Sequence, residues 1–289
     1  MRILLLGDCH GQLNLLSRLC LRAQHQLNVE AAIQVGDFGF YPSVWQQFLR
    51  EGPHRFPIPV HAIDGNHEDH GWLRSCIDNG ALRSWADANL VFHERSTVAT
   101  IGGMRLGFLG GALNADRPQE WAGRRKLLAD GSVPFSRPRV PRDPAWANWV
   151  SVGDVERAVE CFNATPPDLL ITHSCPAGIG IGMVGAPSLV EDAQRFITHA
   201  GHSGGPVTDC GEGALADLWR RMHRKPNHWI FGHFHRHCSH TIEGTNFFCI
   251  GSSDGTDGER VPRSIILDTE RRNIVNVWPT PEGTSNAKT

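Results

Sequence analysis

The stretch RILLLGDCHG at residues 2–11 decides how the rest of the chain reads: an apolar run, a glycine, then an acid and a histidine two positions apart. A short apolar run that stops at a polar cluster is the pattern of a buried strand reaching its carboxyl end. Four more runs share the form. AAIQV (31–35) precedes Gly36 and Asp37, IPVHAI (58–63) precedes Asp64-Gly65-Asn66-His67, DLLIT (168–172) precedes His173, and HWIF (228–231) precedes Gly232 and His233. Between the first two lies QLNLLSRLCLRAQHQL (12–27), with apolar residues at helical spacing, and further helix candidates fall at 42–51, 69–77, 151–163, 188–199 and 212–224. Strand, helix, strand in succession predicts an α/β sheet. Ligands of such sheets collect outside the carboxyl ends of the strands, so the five polar clusters are expected to meet in space.

Composition narrows the class without naming a ligand. The chain has 289 residues, 40% hydrophobic and 20% charged, enough for a substantial core and ordinary for a globular protein. Its net charge is −2, with short basic clusters at GRRK (123–126) and RRMHRK (220–225), so no overall field advertises nucleic acid or a membrane. The eight cysteines contain no C-x-x-C pair, which fits neither a disulfide scaffold nor a zinc ribbon and favours reduced thiols. The N-terminal apolar run reaches Asp8 too soon for a signal-peptide core or a membrane span, and the chain reads as cytoplasmic.

Past residue 236, short strands separated by turns (CSHTIEG, TNFFCIGS, RSIILDT, NIVNVW) predict a hairpin-rich sheet closing the domain, and residues 281–289 read as a frayed tail. Residues 112–150, rich in Arg, Pro and Trp, and the Gly-rich 174–187 and 201–211 lack periodicity, as lids, substrate walls and plainly disordered loops all do. With no repeat and no sign of a second domain, the expectation is one domain over residues 1–280 with an irregular insert at about 112–150.

Asp8 and His10 are two residues apart, as are His233 and His235, and strand alternation would point each pair to one side. Adding Asp37, Asn66 and His173 makes seven oxygen or nitrogen donors from five strand ends, more than one ion needs. Two ions sharing a carboxylate would use the set well, and O/N donors without thiolate suit Mn, Fe, Co, Ni or Zn. Two metals about 3.5–4 Å apart form the clamp that polarises a phosphoryl group and lowers the pKa of bound water toward neutrality. Any single histidine among the sixteen is ordinarily solvated or hydrogen-bonded; the joint order of five clusters is what argues for a site.

GDCHG, VGDFG, GNHED, THSCP and GHFH, in that order, resemble the ordered blocks of the calcineurin-like metallophosphoesterases over residues 3 to about 250. The resemblance implies a four-layer αββα sandwich of two mixed sheets flanked by helices, and a dinuclear metal-dependent hydrolase of phosphomono- or diesters acting through a metal-bridging hydroxide. By it, Asp8, His10, Asp37 and His235 hold one ion, and Asp37, Asn66, His173 and His233 hold the other, with manganese the first expectation. It assigns His67 to protonating or stabilising the leaving oxygen, a role that suits an imidazole, whose reference pKa lies near neutrality. LGGALNADR (109–117) is similar to a block in a bacterial subgroup of uncharacterised metallophosphoesterases. That likeness implies that Arg117 binds the substrate phosphate and that Asp116 supports His67; Asn66 is also expected to contact the substrate.

Two departures argue against a phosphoprotein phosphatase: Phe40 stands where G-D-x-x-D-R-G has its second Asp, and Asp64 stands where an Arg often precedes G-N-H. Alternatives are a nuclease, a nucleotide or cyclic-nucleotide phosphodiesterase, or a non-catalytic scaffold on the same fold; the intact donor set disfavours the scaffold. The remaining features read as structural. Cys9 should turn away from its neighbours into the sheet, Glu68 and Asp69 should start or cap a helix, and His70, His202, His237 and His240 should be ordinary surface or supporting histidines. Trp121, Trp146 and Trp149 read as packing, and Arg124, Arg125 and Lys126 as a solvated face.

Overall fold

The computed structural model describes residues 1–112, 149–177, 211–253 and 264–278. Twelve strands in these segments form two six-stranded sheets. The first contains β1 (Arg2–Leu6), β2 (Ala31–Gln34), β3 (Val60–Ala62), β4 (Leu90–Phe92), β11 (Ser264–Asp268) and β12 (Asn273–Trp278), in the order β12-β11-β1-β2-β3-β4. The second contains β5 (Thr97–Ile101), β6 (Met104–Leu109), β7 (Leu169–Thr172), β8 (His228–Phe231), β9 (Cys238–Ile242) and β10 (Thr245–Cys249), in the order β5-β6-β7-β8-β10-β9. β1 to β4 run parallel, as do β6, β7, β8 and β10, while β11, β12, β5 and β9 are antiparallel additions.

Both faces of each sheet are covered, which is why the sequence shows continuous apolar runs instead of alternation. In β1, Ile3 and Leu5 enter the core between the sheets, with Ile33, Val35, Leu106, Phe108, Ile171 and Ile230. Leu4 and Leu6 face the helices α1 (Leu13–Leu27), α2 (Pro42–Arg50), α3 (His70–Asp78) and α4 (Leu82–Asp87). On the far side, Leu170, Trp229, Phe231 and Phe247 pack under α5 (Val152–Ala164) and α6 (Gly213–Arg221). These three cores make the four-layer αββα sandwich. Sequence signals set the helix ends: Asn28 closes α1 in a left-handed conformation, Asp69 accepts from Trp72 N at 2.9 Å to cap α3, and Ser151 with Asp154 forms a capping box on α5.

Three expectations change. The C-terminal strands do not close the domain as one sheet; the β9–β10 hairpin joins the second sheet and β11–β12 joins the first, antiparallel to β1. β4, β5, β6 and α4 went unread, because β4 is three residues long, β5 is half-exposed and α4 fully buries only Trp85. Glu68 caps no helix; its role belongs to the site below. The helix candidate at 188–199, most of the 112–150 insert, and the tail lie outside the described residues. No helix among the described residues is long and apolar enough to cross a membrane.

A buried ionic network fastens the two sheets together where the insert begins and ends. Arg95, between β4 and β5, donates through Nε to Asp64 Oδ2 at 3.0 Å, and through Nη1 to Asp154 Oδ2 at 3.2 Å and to the Trp149 carbonyl at 2.8 Å. The Asp64 carbonyl in turn accepts from Gly111 N at 2.9 Å. Burial alone would raise the Asp64 carboxyl, but Arg95 and His70 hold it well below the usual carboxylate range. Removing one partner of such a network leaves buried charge uncompensated, so Arg95→Leu is expected to destabilise the fold by about 3–5 kcal/mol. Chemical denaturation checks this, with a midpoint close to that of the parent chain as the contrary result.

Candidate metal centre

β1, β2, β3, β7 and β8 all end on one edge of the sandwich, and each hands the chain to a loop that carries sequence-predicted residues: Asp8 and His10, Asp37, Asn66 and His67, His173, and His233 with His235. The loops interlock through the backbone. His10 N donates to the Asp37 carbonyl at 2.8 Å, and Gly232 N to the His173 carbonyl at 3.0 Å. Asp8 Oδ1 accepts from His233 N at 3.0 Å, and Asp37 Oδ1 accepts from His67 N at 2.8 Å.

Strand alternation does not aim these side chains, contrary to expectation. β1 stops at Leu6 and β8 at Phe231, so both the Asp8–His10 pair and the His233–His235 pair lie beyond the strands. His10 (φ 43°), Asp37 (φ 53°), His233 (φ 67°) and His235 (φ 52°) take left-handed backbone, uncommon for residues with a Cβ and concentrated at functional sites. Glycines make room for the crowding. A Cβ on Gly65 would lie 2.1 Å from Asp37 Oδ1, and one on Gly36 (φ 103°) would lie 2.3 Å from His173 Nδ1.

The side chains fall into two groups. Asp8, His10 and His235 each offer one donor atom within 4.8 Å of the others, and so do Asp37, His173 and His233. Asp37 lies between the groups: Oδ1 is 3.2 Å from His173 Nε2, and Oδ2 is 4.0 Å from His10 Nδ1. Asn66 Oδ1 sits 3.2 Å from His173 Nε2. In the first group His10 Nε2 and His235 Nε2 face each other at 3.1 Å, and Asp8 Oδ2 is 3.0 Å from His235 Nε2 without accepting a well-formed hydrogen bond. The His67 ring stands beside His10, centroids 5.5 Å apart and nearly perpendicular.

Electrostatics calls for cations here. Asp8 and Asp37 are fully buried, which opposes their charge, yet His173 with His235 holds Asp8, and His173 with His67 holds Asp37, below the ordinary carboxylate range. Burial would also keep His173 neutral, but Asp37 and Asp8 pull it up to about 10. Burial and the His173 charge push His233 down to about 3, leaving it a neutral donor. The His173 Nδ1 contact with the Val35 carbonyl at 2.9 Å orients the ring so that Nε2 faces Asp37 and Asn66. Mixed oxygen and imidazole donors, a buried carboxylate oxygen lacking a hydrogen bond, and a cradle that a Cβ would fill all fit two divalent or trivalent ions.

Sequence reasoning missed Glu68 as a brace. Its carboxylate accepts from Phe38 N (2.9 Å), Gly39 N (3.0 Å), Phe40 N (2.5 Å) and Gly65 N (3.2 Å), tying the Asp37 loop to the His67 loop. Its place next to His67 was visible, but the N–H groups it meets on the Asp37 loop lie some thirty residues away. Phe40 is buried and stacks on Trp85 (centroids 5.3 Å apart, planes 9° apart), so this position supplies packing and no acid to His67. Cys9 faces the helical core as expected. Asp116 and Arg117, like Trp121, Trp146, Arg124, Arg125 and Lys126, lie outside the described residues.

Comparison with known proteins gives the family and the fold. The family model for calcineurin-like phosphoesterases matches residues 1–237, and the chain belongs to that family. No curated protein sequence matches it. Among solved structures, TT1561 of Thermus thermophilus is 12% identical, with 96% of this chain and 97% of that chain covered and a TM-score of 0.57, which shows a shared fold. Phosphopantetheinyl hydrolase from Mycobacterium tuberculosis is 17% identical, with 89% and 92% covered and a TM-score of 0.48. Family membership supports metal-dependent hydrolysis of phosphate esters.

Because His173 is protonated below about pH 10, a cation that takes its Nε2 must displace that proton. Binding of Mn²⁺ to the metal-free chain at pH 7–8 is therefore expected to release about one proton from His173 and to tighten as pH rises toward 10. Calorimetry in buffers of different ionisation enthalpy checks this; metal uptake without proton release is the contrary result.

Proposed function

We propose that the protein is a dinuclear metal-dependent phosphoesterase. Asp8, His10, Asp37 and His235 would hold one ion, and Asp37, Asn66, His173 and His233 would hold the other. The observation that carries the reading is Asp37 itself, a buried carboxylate with one oxygen turned toward each donor group. When bound, the ions polarise the phosphoryl group and supply a water-derived nucleophile at neutral pH. Manganese is the first expectation, with Fe, Zn, Ni or Co as alternatives from the same donor chemistry.

The chain's own residues do the rest. Asp37 and Asp8 keep the pocket negative until cations enter, and Glu68 holds the Asp37 and His67 loops at one spacing. His10 and His235, about a quarter exposed, mark the side open to substrate. His67, beside His10 on that side, gives its proton to the leaving oxygen. Asn66, next to His67, is placed to contact the phosphate as well as an ion. From the resemblance, Arg117 binds phosphate and Asp116 supports His67. Phosphomono- and diesters both fit, and the net charge of −2 gives nucleic acid no special claim.

Two substitutions separate the roles. Asp37→Asn is expected to reduce bound metal from two ions per chain to one or fewer and to abolish hydrolysis; two tightly held ions by elemental analysis would refute the shared carboxylate. His67→Ala is expected to keep both ions while slowing esters with poor leaving groups by about 10²–10⁴-fold. Nitrophenyl esters, whose leaving group needs no proton, should slow far less. Equal slowing of both classes, or loss of metal, would remove His67 from the acid role.

A further inference from the structure

At the end of the sandwich away from the metal centre, three arginines surround one acid: Arg105 near the start of β6, Arg224 between α6 and β8, and Arg272 between β11 and β12. Asp168 leads into β7, whose far end carries His173, about 16 Å away at 3.3 Å per residue. The Asp168 carboxylate is buried, with Oδ2 accepting from Arg105 N at 3.0 Å. Its Oδ1 lies 3.7 Å from an Arg105 guanidinium nitrogen, 3.7 Å from one of Arg224 and 3.4 Å from one of Arg272. Among the described residues none of these guanidiniums completes a side-chain hydrogen bond, and Asp168 is their only ion-pair partner. Their side chains are 38–55% exposed.

Three charges against one leave a local excess of two, carried on side chains that are each about half-exposed. Backbone contacts hold the cluster: Asp168 N donates to the Arg105 carbonyl at 2.8 Å, and Asn227 N to the Asp168 carbonyl at 3.0 Å. Arg272 occupies a left-handed position (φ 52°) in the β11–β12 connection, where Gly or Asn is the ordinary choice. Its carbonyl lies 3.4 Å from Nε2 of the buried His228, and His228 Nδ1 makes no hydrogen bond among the described residues. Structure is thus spent on gathering guanidiniums that one carboxylate cannot satisfy. Forked guanidinium donors match the oxygens of a phosphate group.

We propose that Arg105, Arg224 and Arg272 form a second anion site, separate from the metal centre, for a phosphate-type oxyanion carrying two or more charges. Asp168 pre-positions the three guanidiniums and limits affinity by occupying part of their field. The site is independent of the phosphoesterase reading, since the metal centre lies at the other end of the strands.

The test titrates inorganic pyrophosphate into the full-length chain, comparing the parent with Arg105→Gln/Arg224→Gln/Arg272→Gln by calorimetry. Each guanidinium is half-exposed and stands 3.4–3.7 Å from the Asp168 carboxylate without a side-chain hydrogen bond to it, and Arg105 N donates to Asp168 whatever the side chain. The triple variant should therefore fold, as circular dichroism checks, and hydrolyse a chromogenic phosphoester at the parent rate when no pyrophosphate is present. The expected result is pyrophosphate affinity at least tenfold weaker in the triple variant, and tighter than the parent in Asp168→Asn, which removes one negative charge and keeps an oxygen for Arg105 N. Affinity unchanged by the triple substitution, or no binding by the parent, overturns the site even if hydrolysis is normal. Loss of hydrolysis with arginine-dependent binding intact would instead count against the phosphoesterase reading alone. A second arm replaces pyrophosphate with vesicles containing a phosphoinositide: arginine-dependent co-sedimentation identifies a lipid headgroup as the source, and binding of free pyrophosphate alone identifies a soluble one.

Discussion

Two carboxylates buried within one pocket constrain the whole site. Asp8 and Asp37 cannot be left charged in the interior without positive charge nearby, and the fold meets that demand with histidines from neighbouring loops. The response is uneven in a useful way: His173 is held as a cation while His233 stays neutral, so part of the compensation is a proton that a metal ion can replace. A pocket with this charge deficit is prepared for cations before any arrives.

Holding such a pocket together consumes conformational freedom. Four donor-bearing residues adopt left-handed backbone, and glycines stand where a side chain would strike a donor. Strain of this kind persists only when the surroundings over-determine it. Here the surroundings are the four-bond cage around Glu68, the backbone ties between neighbouring loops, and the aromatic stack of Phe38, Phe40 and Trp85 under the Asp37 loop. The buried Arg95 network does the same for the two roots of the insert. Rigid sheets supply the frame, while the loops carry the chemistry.

The strands that lead to the site were legible because burial on both faces made them continuous apolar runs ending at glycine and an acid, amide or histidine. α1, α2, α3 and α5 were legible from periodicity to within one residue at each end, while α6 stops at Arg221, three residues short of the pattern. β5 and β6 escaped notice since Thr97, Val98 and Ala99 are only half-buried and the glycines at 102, 103 and 107 break the pattern. Alternation was the wrong reason for the pairing of Asp8 with His10. The two do share a group, but a left-handed turn after the strand brings them there.

The sequence by itself determined the kinds of donor, their order and the fact that each follows a strand, because those properties are local and written in residue type and spacing. It also determined the layered α/β architecture, through apolar runs too long to be half-exposed. The grouping of the donors and the sharing of Asp37 were implied only through the family resemblance; the tertiary structure alone decided how Asp37 turns its two oxygens and that Glu68 and Arg95 brace the loops. Those outcomes depend on backbone torsions beyond the strand ends and on contacts between residues about thirty to more than two hundred positions apart, and no local pattern encodes them.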